Sequence, residues 1–178
     1  MIKTVLFIAA SLDAYIAKPD GNLDWLTKFP VPANDDYGYS ELLGNTETII
    51  MGRKTYEELI GFGIEWPYKG IETYVVSSNK EFRIQSPDTY VLSDNLKVFI
   101  AERKQKNTKD IWLVGGGELV KTFINQALLD KMIIFIIPRI IGNGIRLFPA
   151  GIAETDWKLT ETKAFDTGAV MLTYEKTI

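Results

Sequence analysis

Neither cysteine nor histidine occurs among the 178 residues. Zinc sites of Cys/His type, thiol nucleophiles and Ser-His-Asp triads are therefore excluded. Acid–base chemistry is left to Asp, Glu, Lys, Tyr or water. No tight cluster of Asp and Glu suggests a magnesium site. A dominant charge is missing too: 20 basic residues face 23 acidic ones, a net charge of −3 with no basic block. Nucleic-acid binding is not indicated. No uninterrupted apolar run exceeds six residues, as in Met132–Ile137, which stops at Pro138. That is too short to span a membrane. The chain opens directly on a strand-like run, Met1-Ile2-Lys3-Thr4-Val5, without a signal-peptide pattern. A cytoplasmic location is the default expectation.

What is present suits one globular unit. Apolar residues make up 46 % of the chain, enough for a sizeable core, and the length favours a single domain over residues 1–178. Strand-like runs are expected at Lys3–Ala10, Glu47–Met51, Glu72–Ser77, Thr89–Leu92, Asp110–Val114 and Lys131–Ile137. Between them lie helix-like runs: Asn34 or Asp35 through Leu43, Lys54–Ile60, Asp94 (as cap) to Lys106, and Glu118–Ala127. Trp157–Ala164 and Ala169–Lys176 flank Asp166-Thr167-Gly168 and read as a C-terminal antiparallel hairpin. Strands alternating with helices argue for an α/β fold, a mostly parallel mixed sheet with helices on both faces. The apolar Met132–Ile137 strand and the hairpin are expected to offer a homodimer interface.

Two glycine-bearing turns stand out. Met51-Gly52-Arg53-Lys54-Thr55 and Val114-Gly115-Gly116-Gly117-Glu118-Leu119 each join an apolar strand to a helix. Such a turn presents bare backbone N–H groups at a helix N-terminus, a site for anions such as phosphate. Arg53 adds charge, and the Thr55 hydroxyl a further donor. Each turn is also met as an ordinary strand-to-helix connection, although three successive glycines call for a packing or ligand reason. Two phosphate sites in one small domain suit a dinucleotide.

The order and spacing of Ala9-Ala10-Ser11-Leu12-Asp13, Met51-Gly52-Arg53-Lys54-Thr55, Val76-Ser77-Ser78 and Val114-Gly115-Gly116-Gly117 resemble the dihydrofolate reductase superfamily over nearly the whole chain. The stretch from Ile137 to Phe148 is similar to the bacterial branch that includes the riboflavin-pathway reductase domain. The resemblance implies hydride transfer from NADPH to a small heterocyclic substrate: a pterin such as dihydrofolate, or the ribosylamino-pyrimidine of riboflavin synthesis. It implies a cis Gly115–Gly116 bond beside the cofactor. It also implies cofactor contacts from Ala9, Ile16, Ala17, Gly52, Arg53, Lys54, Thr55, Ser77, Ser78, Val114, Gly115, Gly116, Gly117, Glu118 and Leu119.

Asp36 lies sixteen residues before Gly52, the spacing of the family's substrate-binding carboxylate. There it would grip the N–C–N edge of a ring and favour its protonation, with a pKa raised by burial. As a plain sequence feature it is equally a helix cap. Tyr39, one turn along, Ala9 and Trp25 complete the expected substrate wall, although a buried anchor is the commoner role for a tryptophan such as Trp25. Asp13 is similar to the aspartate of a Ser-x-Asp-Gly signature, but Ala14 replaces the glycine.

Three departures bear on ligand choice. Glu118 follows the triple glycine where folate enzymes often carry a basic residue, which weighs against a 2′-phosphate nearby. Tyr68-Lys69-Gly70-Ile71-Glu72 contains no arginine to hold a folate tail, and Phe135 to Ile137 offer no threonine to support Asp36. Arg139 and Arg146 are candidate holders of a substrate phosphate. A nucleotide-binding protein with the same fold and no turnover is the alternative.

Overall fold

The computed structural model describes residues 1–177. Its strands, in chain order, are β1 Thr4–Ser11, β2 Tyr15–Ala17, β3 Thr46–Gly52, β4 Glu72–Val76, β5 Thr89–Leu92, β6 Asp110–Gly115, β7 Lys131–Ile137, β8 Ile145–Arg146, β9 Trp157–Ala164 and β10 Val170–Lys176. The helices are α1 Asp24–Thr27, α2 Tyr39–Gly44, α3 Arg53–Gly61, α4 Leu96–Lys106 and α5 Gly117–Asn125. Eight strands form one sheet in the order β5-β4-β3-β6-β1-β7-β10-β9, and β2 pairs with β8 in a separate ribbon. From β5 to β7 all neighbours are parallel; β10 and β9 are antiparallel. This is the dihydrofolate-reductase-like arrangement.

Strand alternation divides the sheet's apolar residues between two faces. On one face Leu6, Ile50, Leu113 and Ile134 meet the buried stripe Leu119, Val120, Phe123 and Ile124 of α5 and Leu96 and Ile100 of α4. On the other, Ile49, Met51, Val75 and Trp112 meet Tyr56 of α3 and two aromatics of the loop after it, Trp66 and Tyr68. A third cluster joins Trp25 of α1 to Phe135, Ile137 and Ala169.

The structure departs from expectation in four places. The helix expected from Asn34 or Asp35 begins only at Tyr39, because Tyr37 (φ 60°) and Gly38 (φ 79°) sit in the left-handed region and break the turn. The cap of α4 is Asn95 rather than Asp94: Asn95 Oδ1 accepts from Lys97 N at 3.0 Å and Val98 N at 3.3 Å. The β2–β8 ribbon is too short, at three and two residues, to show a periodicity. And β7 is no exposed edge. It runs between β1 and β10 with both edges paired, so Met132–Ile137 offers no free strand edge to a second copy.

The free edge on that side is β9, which is exposed along nearly its whole length. It carries Lys158, Glu161 and Lys163, and its register against β10 shifts at Thr173/Tyr174.

Asn95→Ala should lower the unfolding free energy by about 1 kcal/mol, the usual loss for such a cap. Asp94→Ala should leave it nearly unchanged. Urea denaturation of the two variants compares them directly.

Candidate functional site

Strands β1, β3, β4, β6 and β7 run parallel, so their carboxyl ends (Ser11, Gly52, Val76, Gly115 and Ile137) share one edge. Ligands of open α/β sheets gather at that edge. Two of the strands lead straight into helices there. Gly52, extended at φ −75° and ψ 155°, precedes α3; Gly116, at φ −68° and ψ −178°, precedes α5. Among the described residues neither helix has a side-chain cap, so first-turn N–H groups face the edge.

The two turns touch each other. A Cβ on Gly52 would stand 3.8 Å from the Gly115 carbonyl oxygen, and one on Gly116 3.5 Å from Thr55 Oγ1. Gly115, at φ 128°, is joined to Gly116 by a cis peptide bond. The pair forms one rim of backbone and hydroxyl, with Val114 half-buried just below it.

The other expected cofactor residues are arranged unevenly along this rim. Ser77 is buried, and its hydroxyl accepts from Asn79 N at 3.1 Å; Ser78 is exposed. Arg53 and Lys54 are exposed, with Arg53 paired to Glu57 at 2.9 Å. Glu118 is exposed, 3.9 Å from Lys121. Leu119 departs from expectation: its side chain points into the core against Val120 and Phe123, leaving only main chain for a ligand. Ala9 is half-buried near the end of β1.

Residues 3–171 match the family model described as RibD C-terminal domain. The chain belongs to the RibD C-terminal domain family. It is 39 % identical over 178 residues to the uncharacterized protein YwjB of Bacillus subtilis, covering 97 % of each chain. It is 30 % identical to YyaP of the same organism, covering 97 % of this chain and 94 % of YyaP. A putative riboflavin biosynthesis protein from Shewanella sp. PV-4 superposes with a TM-score of 0.88 at 27 % identity, covering 99 % of this chain and all of that one. RibD of Acinetobacter baumannii shares the fold at a TM-score of 0.72 and 16 % identity, with 99 % of this chain matching 58 % of RibD.

In this RibD-type chain the flank of the rim is held by Asp13. Its carboxylate accepts from Ser11 Oγ at 2.6 Å, Ile141 N at 3.1 Å and Gly142 N at 2.7 Å. Led by the Ser11 hydroxyl, these bonds lower its pKa to about 2. Asp13 is thereby a clamp between the β1–β2 loop and the loop that carries β8. Ala14 beside it takes φ 65°, the conformation for which the signature glycine is suited. The clamped loop then crosses both partners closely. A Cβ on Gly117 would lie 2.2 Å from the Arg146 carbonyl oxygen, and one on Gly144 2.1 Å from that of Ala17. Ala17 is accordingly buried against Ile145, and Ile16 half-buried against the core, so little of either side chain is left for a ligand. Arg139 and Arg146 are exposed, the latter's guanidinium 5.0 Å from the Tyr15 ring centroid.

Asp36 is placed differently from expectation. It lies in the turn before α2, exposed, with Oδ1 accepting from Gly38 N at 3.0 Å and Oδ2 from Ser40 N at 2.7 Å. Its pKa is lowered, chiefly by Ser40, rather than raised by burial. Trp25 is a buried anchor, 2 % exposed, in the third cluster. Tyr39 is half-buried with its ring edge-on to Trp112 at 6.1 Å.

Sequence reading gave no site role to Trp66, Tyr68 or Trp112, the last of which falls in an expected strand. The structure gathers them beside Tyr39. Strand parity held the signal for Trp112, which lies two residues before Val114 and so on the same face. A cleft of about 230 Å³ also reaches Trp112, but from the opposite end. Thr46, Asp110 and Lys131, the first residues of β3, β6 and β7, line it.

Gly117→Ala should destabilise the fold by about 2 kcal/mol, since the new Cβ meets backbone that must shift. Chemical denaturation measures it. Asp13, with its folded pKa depressed, stabilises above the unfolded value of 3.8, and this contribution is lost as pH falls towards about 2. Urea midpoints of the parent and Asp13→Asn should therefore differ at pH 6 and converge towards pH 2.

Proposed function

We propose that this chain, read as one domain over residues 1–178, is an NADPH-dependent reductase of dihydrofolate reductase type. Its substrate on this reading is a small heterocycle, with the pyrimidine intermediate of riboflavin synthesis, 5-amino-6-(5-phosphoribosylamino)uracil, ahead of dihydrofolate. The observation that carries the reading is the joined glycine rim, where a Cβ at Gly52 or Gly116 would occupy space directly over the neighbouring turn. A cradle without side chains at two uncapped helix N-termini fits a pyrophosphate.

When bound, the dihydronicotinamide supplies the hydride. The residues do the rest. Gly52, Gly115, Gly116, Gly117 and the Thr55 hydroxyl hold phosphate oxygens; Arg53 and Lys54 add charge; Ser77 and Ser78 face the adenosine side. Ala9, Val114 and the main chain of Ile16 and Ala17 border the nicotinamide and exclude water from it. Exposed Arg139 and Arg146 are available to a substrate phosphate. Tyr68 to Glu72 offer no arginine to a glutamate tail, which favours the pyrimidine over folate.

A second reading, nucleotide binding without turnover, is favoured by one observation: the Asp36 carboxylate is already engaged by the turn it caps. The assay is NADPH oxidation, followed by loss of the dihydronicotinamide absorbance, with each substrate in turn. Oxidation with the riboflavin intermediate is expected. NADPH binding with no oxidation by either substrate would support the second reading. Gly116→Val should weaken NADPH binding at least tenfold; unchanged affinity would overturn the cradle.

A further inference from the structure

The β2–β8 ribbon folds back beside the carboxyl end of β1 and meets the glycine rim, with the Arg146 carbonyl oxygen against Gly117. Main-chain bonds tie it down at two points. Leu147 N donates to the Ala14 carbonyl at 3.0 Å, and Leu12 N to the Arg139 carbonyl at 2.8 Å. A third tie is made by side chains, through Ser11 and Asp13.

Ser11 ends β1, fully buried, two residues past Ala9. Its hydroxyl accepts at 2.9 Å from the backbone N–H of Tyr15, the first residue of β2. A hydroxyl has one proton to give, and here it goes to Asp13 Oδ1. Oδ1 also accepts from Ile141 N, and Oδ2 from Gly142 N. One ionised carboxylate therefore joins both strands of the ribbon: Tyr15–Ala17 through Ser11, and Ile145–Arg146 through residues 141 and 142. Each of its oxygens must be an acceptor. An amide in its place offers one acceptor oxygen and turns its own N–H groups on a backbone N–H. The tied loop holds Ala14 at φ 65°, where a glycine would rest without strain.

We infer that Asp13 is a positioning residue for the nicotinamide ring: through Ser11 it fixes the main chain of Tyr15–Ala17 as a rigid wall for that ring. This rests on the reductase reading and deepens it. The phosphates would lie on the glycine rim, to which Asp13 makes no hydrogen bond. Cofactor affinity and ring placement are thus set by separate parts of the site. A ring that is bound but loosely walled reaches the reactive geometry less often. The reaction it serves breaks one C–H bond at the dihydronicotinamide and forms one at the substrate, with the accompanying proton drawn from solvent.

The test compares the full chain with Asp13→Asn and with the double variant Asp13→Asn/Ala14→Gly. NADPH affinity is measured by calorimetry, and ring placement by the emission and polarisation of the bound dihydronicotinamide. Asp13→Asn should bind NADPH as tightly as the parent yet lose most of the emission gained on binding. With 5-amino-6-(5-phosphoribosylamino)uracil its kcat should fall about tenfold or more, with KM nearly unchanged and a larger isotope effect from deuterated NADPH. Ala14→Gly relieves the left-handed strain, so the double variant should recover urea midpoint but neither emission nor kcat. A merely structural role gives the opposite, with emission and kcat returning alongside the midpoint, and that result overturns the inference. So does an Asp13→Asn protein whose bound NADPH emits as in the parent; the reductase reading then still stands. If the parent binds NADPH and oxidises none, the emission alone decides for or against the wall. If the parent binds no NADPH, the reductase reading falls and takes this inference with it.

Discussion

The missing side chains at Gly116 and Gly117 are the constraint on which this site depends. On one side Gly116 faces the Thr55 hydroxyl at the start of α3; on the other Gly117 lies under the Arg146 carbonyl. The end of β6 is thus clasped between a helix and a ribbon, in van der Waals contact at Gly116 and with no room for a methyl group at Gly117. That closeness fuses two strand-to-helix turns into a single rim. It also lets the β2–β8 ribbon seal the flank. A protein interior transmits such a shift because it is close-packed, so displacement here would reach α3, α5 and the Asp13 clamp together.

Much of the fold was legible in the sequence because its strands are bounded by residues with few alternatives. Lys131–Ile137 and Thr89–Leu92 match the expected limits, ended by Pro138 and by Ser93-Asp94. The glycine turns were legible for the same reason. What was not legible depended on non-local partners. The β2–β8 ribbon exists because residues 141 and 142 donate to Asp13, 128 and 129 positions away, which no local pattern encodes. The helix at Asn34–Leu43 failed on backbone detail: Asp35 accepts from Tyr37 N at 2.7 Å, turning the chain before α2 can start.

The candidate site divides along similar lines. Its glycine rim is written in glycine, serine and threonine at strand ends, and can be read residue by residue. The aromatics beside it look like core in the sequence until their contacts are known. Asp36 matches the family spacing, yet spacing does not fix direction; the turn consumes its carboxylate. Trp66, Tyr68 and Trp112 carry no local motif, and only the sheet brings them to Tyr39.

The outer strand of the hairpin has a consequence for the protein's life in a crowded solution. Eight residues of open ladder would ordinarily invite another chain to dock and extend the sheet. Here Lys158, Glu161 and Lys163 stud that ladder, and its pairing slips at Thr173/Tyr174. Stacking a second copy in register would set like charges side by side on a strand already bent away from flatness. The border of the sheet thereby guards the chain against fibril growth.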